Sequence, residues 1–300
     1  MKIAFLGLPI AGLLLAADGH DVVWAGVCRR GAPGTRRLVR TLGADRVAVV
    51  PLLDGEDVVA RIAAAEPELL VSWFWTKRVP ARVRALAPLG AIGVHPSLLP
   101  RHRGPDPFFW AIDQGDRETG VTAHRLEDEY DTGAVLGRRA LAIDPRWNAW
   151  TLAKRLDRPS LSLLRETVAA FSRGAPPAET AQDEAQATEA PAPDDEALEI
   201  DWSQTTAAVE RRVRAAAPWP GAYTFLGDSA VIVTRVEAAE RFPKVLEPGE
   251  GAVSRRGDHN VALVRTGDGA AWLLEGRDED DAPLDAAGIA EIMEKTRAPL

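Results

Sequence analysis

The sequence predicts an α/β first domain followed by a smaller, mostly β second one. Three observations carry that expectation. The chain opens strand–turn–helix–strand, as a βαβ unit does: Lys2 to Leu6 is a short β-rich run, Ala11 to Ala17 a helical patch, and Asp21 to Val27 a second strand. Composition breaks after Gly174, where residues 175–199 are Ala, Pro, Glu, Asp, Gln and Thr with almost no large apolar side chain. Beyond Ile200 the apolar runs are short and separated by turn residues such as Gly227, Asp228, Gly267, Asp268 and Gly269, the spacing of a small β-barrel or sandwich. The expected domains are residues 1–174 and 200–300. An extended or mobile acidic linker at 175–199 joins them, because that segment buries too little surface to offset its ordering entropy.

In the first domain the turn from Gly7 to Gly12 contains no G-x-G-x-x-G fingerprint, and Gly12 lacks the following Lys and Ser/Thr of a phosphate loop. Lys2 precedes an apolar run, as in a signal peptide. Gly7, Pro9 and Gly12 interrupt the run, however, and no small-residue cleavage site follows. Arg29, Arg30, Arg36, Arg37 and Arg40 crowd a segment that reads either as a solvated loop leading into a helix or as an anion site. Next come a strand at Val47–Leu52, a helix at Glu56–Ala65, a strand at Leu69–Trp75, a short helix at Pro80–Ala87 and a strand from Ala91. Val121 to Leu126 alternates like a strand, and Ala149 to Phe171 has helical periodicity through Leu152, Leu156, Leu161 and Leu164. In the second domain, Thr206 to Ala217 predicts a helix ended by Pro218, Trp219 and Pro220. Strands follow at Ala222–Leu226, Ala230–Val236, Gly251–Val253, Asn260–Arg265 and Ala270–Glu275.

Composition narrows the function classes. A net charge of −8 argues against a generally nucleic-acid-binding surface, DNA included, while leaving room for a local basic patch. A single cysteine, Cys28, excludes an internal disulfide framework and fits a reducing, cytoplasmic setting. No run reaches the roughly 18 apolar residues of a membrane span.

Chemistry concentrates between Ala91 and Gly104. Ala91 to Val94 read as the end of a buried strand, His95 stands at its carboxyl end, and Pro96, Pro100 and Gly104 keep a helix from following directly. Ligands bind at the carboxyl ends of strands in open α/β sheets. A histidine there is either a general acid or base or a loop residue bonded to a neighbouring carbonyl. His95 and His102 lack the setting of a paired metal site, and Ser97 lies in no nucleophile elbow. The remaining partners are the acids after the next strand, Glu127, Asp128, Glu129 and Asp131. The last of these sits in a tight loop with Tyr130, Thr132 and Gly133.

Taken together, His95, Ser97 to Pro100, Arg103, Gly104, Ala111, Ile112, Thr119 to Thr122 and Asp131 to Gly133 resemble the signature region of the 10-formyltetrahydrofolate-dependent formyltransferases. Ile200 to Ser203 and Arg214 through Pro220 resemble the start of the carboxy-terminal domain of methionyl-tRNA formyltransferases. Pro218 to Tyr223 is also similar to a subdomain of formyltransferases that act on nucleotide-linked amino sugars. The resemblance implies a Rossmann-like domain joined to a small open, OB-like β-barrel, with 10-formyltetrahydrofolate as formyl donor. It implies His95 and Asp131 as catalytic residues: a protonated histidine donates to the developing oxyanion, while the aspartate orients it and helps remove the amine proton. It also implies a folate pocket near Trp75, Lys77, Val79, Glu127 and Tyr130.

At one place the chain departs from the pattern. The family's asparagine donor belongs two residues before His95, where this chain has Gly93. Three outcomes stay open: amine formylation with another donor or a water filling the gap, altered chemistry such as formyl hydrolysis, or folate binding without catalysis. A small amine or an amino sugar nucleotide is the expected acceptor. Initiator tRNA is disfavoured by the acidic carboxy-terminal region, including Asp278 to Asp281.

Overall fold

The computed structural model describes residues 1–50 and 52–297 and separates into two compact units. The first holds Met1–Pro107, Glu118–Ala142 and Lys154–Pro191; the second holds Phe108–Arg117, Ile143–Ala153 and the chain from Ala192 on.

The chain enters the first unit through β1 (Lys2–Gly7), α1 (Pro9–Ala17), β2 (Asp21–Val27), α2 (Thr35–Leu42), β3 (Val47–Val49), α3 (Glu56–Ala64), β4 (Leu69–Trp73), α4 (Ala81–Arg84) and β5 (Ala91–His95). Then come α5 (Pro107–Asp113), which belongs to the second unit from Phe108 on, β6 (Glu118–Arg125), β7 (Val135–Ala142) and α6 (Ala149–Ser172), which belongs to the first unit from Lys154 on. Pro51, inside the strand expected at 47–52, lies outside the described residues. The seven strands form one sheet in the order β3-β2-β1-β4-β5-β6-β7. The first five are parallel, so their carboxyl ends share one edge. β6 runs antiparallel to both β5 and β7. Pro9 supplies the preset φ that suits the first turn of α1. Gly7, at φ +132°, lies so close to β4 that a β-carbon there would overlap the Trp73 carbonyl. One sheet face carries Ala4, Leu6, Leu70 and Ala91 into a core with Val58, Ile62 and Val83 of α3 and α4.

The second unit contains α7 (Asp195–Leu198), α8 (Thr206–Ala216), β8 (Ala222–Leu226), β9 (Ser229–Ala238), β10 (Gly251–Arg256), β11 (His259–Arg265), β12 (Ala270–Arg277), β13 (Pro283–Asp285) and α9 (Ala286–Arg297). Its antiparallel sheet has the order β10-β11-β12-β9-β8, with β13 on β12. Val231, Val233, Leu263, Leu273, Ile289 and Met293 are buried there. The architecture is the α/β domain followed by a β domain that the sequence predicts.

Five elements carry no clear sequence signal: α5, β7, α7, β13 and α9. β7 is an edge strand whose Arg138, Arg139 and Ala140 are all exposed, so no alternation marks it. Of residues 175–199, expected as an extended or mobile linker, those up to Pro191 belong to the first unit, where Thr180 bridges to Val135 and Glu189 to Arg103. Main-chain hydrogen bonds do there what apolar burial cannot. Among the described residues no helix is long and apolar enough to cross a membrane.

Candidate active site

Register places the site. Ser72 of β4 pairs with Gly93 of β5, which pairs with His124 of β6, while His95 pairs with Thr122. Paired residues share a face, so Ser72, Gly93, His95 and His124 stand together at the edge where the parallel strands end. The loop after His95 is pinned to β6: the Thr122 hydroxyl donates to the Ser97 carbonyl at 2.7 Å and accepts from the Leu99 amide at 3.1 Å. The Ser97 hydroxyl donates to the Arg101 carbonyl at 2.6 Å and so serves this turn. His102, at φ +60°, turns its carbonyl to accept from Nε2 of His95 at 2.7 Å.

Asp131 also holds a left-handed φ, +58°. Its Oδ2 accepts from the Gly104 amide at 2.9 Å and lies 3.4 Å from Nδ1 of His95. Its Oδ1 lies 3.6 Å from Nε2 of His124, whose Nδ1 donates to the Arg125 carbonyl at 2.8 Å. Gln182 fastens the loop from outside, donating from Nε2 to the carbonyls of Asp131 at 2.7 Å and Gly133 at 2.8 Å. Arg103, itself buried, holds Gln182 through Oε1 at 2.8 Å and pairs with Glu184 at 2.7 Å. The Glu184 contact keeps the Arg103 guanidinium firmly charged. Burial pushes the His124 imidazole down to about 4; Asp131 opposes that shift, while His95 and Arg103 add to it.

The expected folate residues fall on two segments. Trp75, Lys77 and Val79 follow β4, and Glu127 and Tyr130 follow β6. Arg84 ties the two together, donating to the Val79 carbonyl at 2.7 Å, the Glu127 carbonyl at 3.1 Å and the Asp128 carboxylate at 2.7 Å. Arg78 lies over the Tyr130 ring at 5.9 Å. Val79 is buried in the sheet core, Lys77 and Glu127 are exposed, and Tyr130 is half exposed. Trp75 packs against the core, and its buried indole N–H has no acceptor among the described residues. An orphaned donor at this point fits a ligand with a polar ring edge. Trp73 is core, its indole bonded to Ser160 at 2.7 Å. Gly93 offers no donor, and Leu126 lies against it: a β-carbon at 93 would come 3.0 Å from Cδ2 of Leu126.

Two residues of the site escape a linear reading. Gln182 belongs to the low-complexity segment and carries no local signal. His124 could have been found from alternation with Thr122, given the β5–β6 register.

Comparison with known proteins bears on the family and the fold. Residues 51–168 match the formyl transferase family, and residues 194–293 match the formyl transferase C-terminal domain. Methionyl-tRNA formyltransferase of Desulfotalea psychrophila is 34% identical over 92% of this chain and 87% of its own length. That of Anaeromyxobacter sp. (strain K) is 37% identical over 96% of each. Among solved structures, HypX from Aquifex aeolicus in complex with tetrahydrofolic acid superposes with a TM-score of 0.66 at 23% identity, covering 98% of this chain. The chain spans about half of HypX, 48% of its length. WlaRD, a sugar 3N-formyl transferase solved in the presence of dTDP and 5-N-formyl-THF, gives a TM-score of 0.65 at 13% identity over 93% of this chain and 98% of its own. The solved structures share the fold, and the sequence relatives extend the match over nearly the whole chain. The chain belongs to the formyl transferase family.

Proposed function

We propose that the chain moves a formyl group from 10-formyltetrahydrofolate to a primary amine, with His95 and Asp131 at the reacting carbon. The observation that carries this reading is the pair itself: a buried imidazole 3.4 Å from a carboxylate, where a parallel strand ends. Asp131 orients His95 and takes the proton that the attacking amine sheds. Nε2–H of His95, now given to the His102 carbonyl, is the donor for which the formyl oxygen competes as negative charge builds on it. The folate nitrogen recovers a proton as its bond to the formyl carbon breaks, so the protons balance. The free indole N–H of Trp75 offers a donor to the pterin edge, with Tyr130, Glu127 and Lys77 at the rim and Val79 supporting them from the core.

The acceptor amine is carried on a phosphate-bearing molecule. Arg29, Arg30, Arg36, Arg37 and Arg40 are exposed and make no ion pair among the described residues. Arg29 and Arg30 follow the end of β2, the sheet edge at which β5 delivers His95. Full-length likeness to methionyl-tRNA formyltransferases favours a tRNA-linked amino acid, reversing the weight that the chain's negative charge alone suggests. An amino sugar nucleotide is the second reading, favoured by the acidic run Asp278 to Asp281 in the second unit.

The test is incubation with 10-formyltetrahydrofolate and a panel of amines that includes charged initiator tRNA and amino sugar nucleotides. Release of tetrahydrofolate only when an amine is present supports transfer. Amine-independent formate release identifies a hydrolase, and the absence of folate binding by isothermal titration contradicts every folate reading.

A further inference from the structure

His124 has no task in this reading, yet its side chain is more deeply buried than that of His95 and faces the same carboxylate. The two rings rise from one sheet face, 6.5 Å apart and nearly perpendicular, with one oxygen of Asp131 toward each.

Their protons follow from their other partners. Nε2 of His95 and Nδ1 of His124 each contact a main-chain carbonyl. A carbonyl only accepts, so each of those nitrogens carries hydrogen. In a neutral imidazole the opposite nitrogen then bears a lone pair, and both lone pairs are aimed at Asp131. An ionised carboxylate between them is repelled from both sides. One carboxylate oxygen stands 3.4 Å from Nδ1 of His95 and the other 3.6 Å from Nε2 of His124. One added proton turns repulsion into a charge-assisted hydrogen bond. A second is opposed by Arg103, which Glu184 and Gln182 hold in place. Arg125, next on the strand, is paired away with Glu179.

We propose that His124 is a positioning residue acting through Asp131, so that His95, Asp131 and His124 hold one proton as a unit. Its catalytic consequence rests on the formyl-transfer reading; the proton sharing does not. During transfer the proton leaving the amine enters this unit at Asp131. The unit returns a proton to the folate nitrogen as the old C–N bond breaks, ending with the count it began with.

Two measurements test this. In protein carrying 15N-labelled imidazoles, without folate, His124 is expected at neutral pH with hydrogen on Nδ1 and a bare Nε2. His124→Asn, which keeps a donor for the Arg125 carbonyl but falls short of Asp131, should perturb the His95 ring resonances. The opposite tautomer, or an unperturbed His95, would overturn the proposal. In pH–rate profiles, His124→Asn should lower kcat by about tenfold or more and move the acid limb by about one pH unit, leaving the folate KM within about twofold. His124→Gln, whose amide reaches Asp131 but takes no proton, should recover part of kcat without restoring the limb. A uniform loss that follows a lower melting temperature, with the limb unmoved, means a structural role and defeats the proposal. If the protein transfers no formyl group, the imidazole measurement still decides whether the proton is shared.

Discussion

Leu126 fills the space beside His95 that a side chain at Gly93 would need: a β-carbon there would lie 3.0 Å from Cδ2 of Leu126 and 3.6 Å from the Ser72 carbonyl oxygen. A side chain at 93 would therefore press on a Leu126 methyl group, the far end of a flexible side chain that must give by a few tenths of an ångström. Losing one donor to a developing oxyanion typically costs about 10²–10³ in rate.

The first prediction follows from this contact. Gly93→Asn combined with Leu126→Ala should raise kcat by about tenfold or more, while Gly93→Asn alone should gain less because Leu126 must give way. Steady-state kinetics on the two variants decide it. A fall in both would mean that the space is used by the reaction rather than merely lacking a donor.

Gln182 supplies the second. It holds the carbonyls of Asp131 and Gly133, and Asp131 keeps a left-handed φ, uncommon outside glycine though Asp adopts it more readily than most residues. Gln182→Ala removes both bonds, worth about 1–2 kcal/mol together, and should lower kcat by about tenfold with little change in the folate KM. Unchanged kcat would show that Gly104 alone suffices to hold the carboxylate.

The third concerns acid. Burial lowers His124 from its ordinary 6.5 to about 4, so as pH falls the unfolded chain takes up this proton before the folded one does. Stability from keeping the ring neutral is complete above pH 6.5 and is lost as pH falls toward 4, a change of up to about 3 kcal/mol. Denaturant unfolding at a series of pH values should show that slope in the parent chain and a flatter one in His124→Asn.

Charge on α2, which follows the carboxyl end of β2, gives the fourth. Reversing Arg36 and Arg37 to Glu should raise the acceptor KM by about tenfold at low salt while leaving the folate KM unchanged. Initiator tRNA would show a steep dependence of KM on salt, and an amino sugar nucleotide a shallow one. An acceptor KM indifferent to both salt and charge reversal would remove the phosphate-bearing carrier from the account.

Much of the fold was legible because local pattern and tertiary burial agree. β2, Asp21–Val27, and β8, Ala222–Leu226, are apolar runs bounded by turn residues and fall where the pattern puts them. β7 was not legible, since an edge strand with Arg138 and Arg139 side by side has no alternation to read. At the site, His95 drew notice as a strand-end histidine, but Asp131 was one of four loop acids until the family resemblance singled it out. Gln182 drew no notice: a glutamine in a polar tract acquires meaning only when the chain is laid against the Asp131 loop. His124 was hidden by the β5–β6 register, which no single segment reveals.

The most direct test compares the parent chain with Asp131→Asn in amine-dependent release of tetrahydrofolate from 10-formyltetrahydrofolate, with folate affinity measured in parallel. Amine-dependent release by the parent and a loss of about 10² or more in the variant are expected, at nearly equal folate affinity. Equal rates in the two proteins, or no folate binding by either, would contradict that expectation.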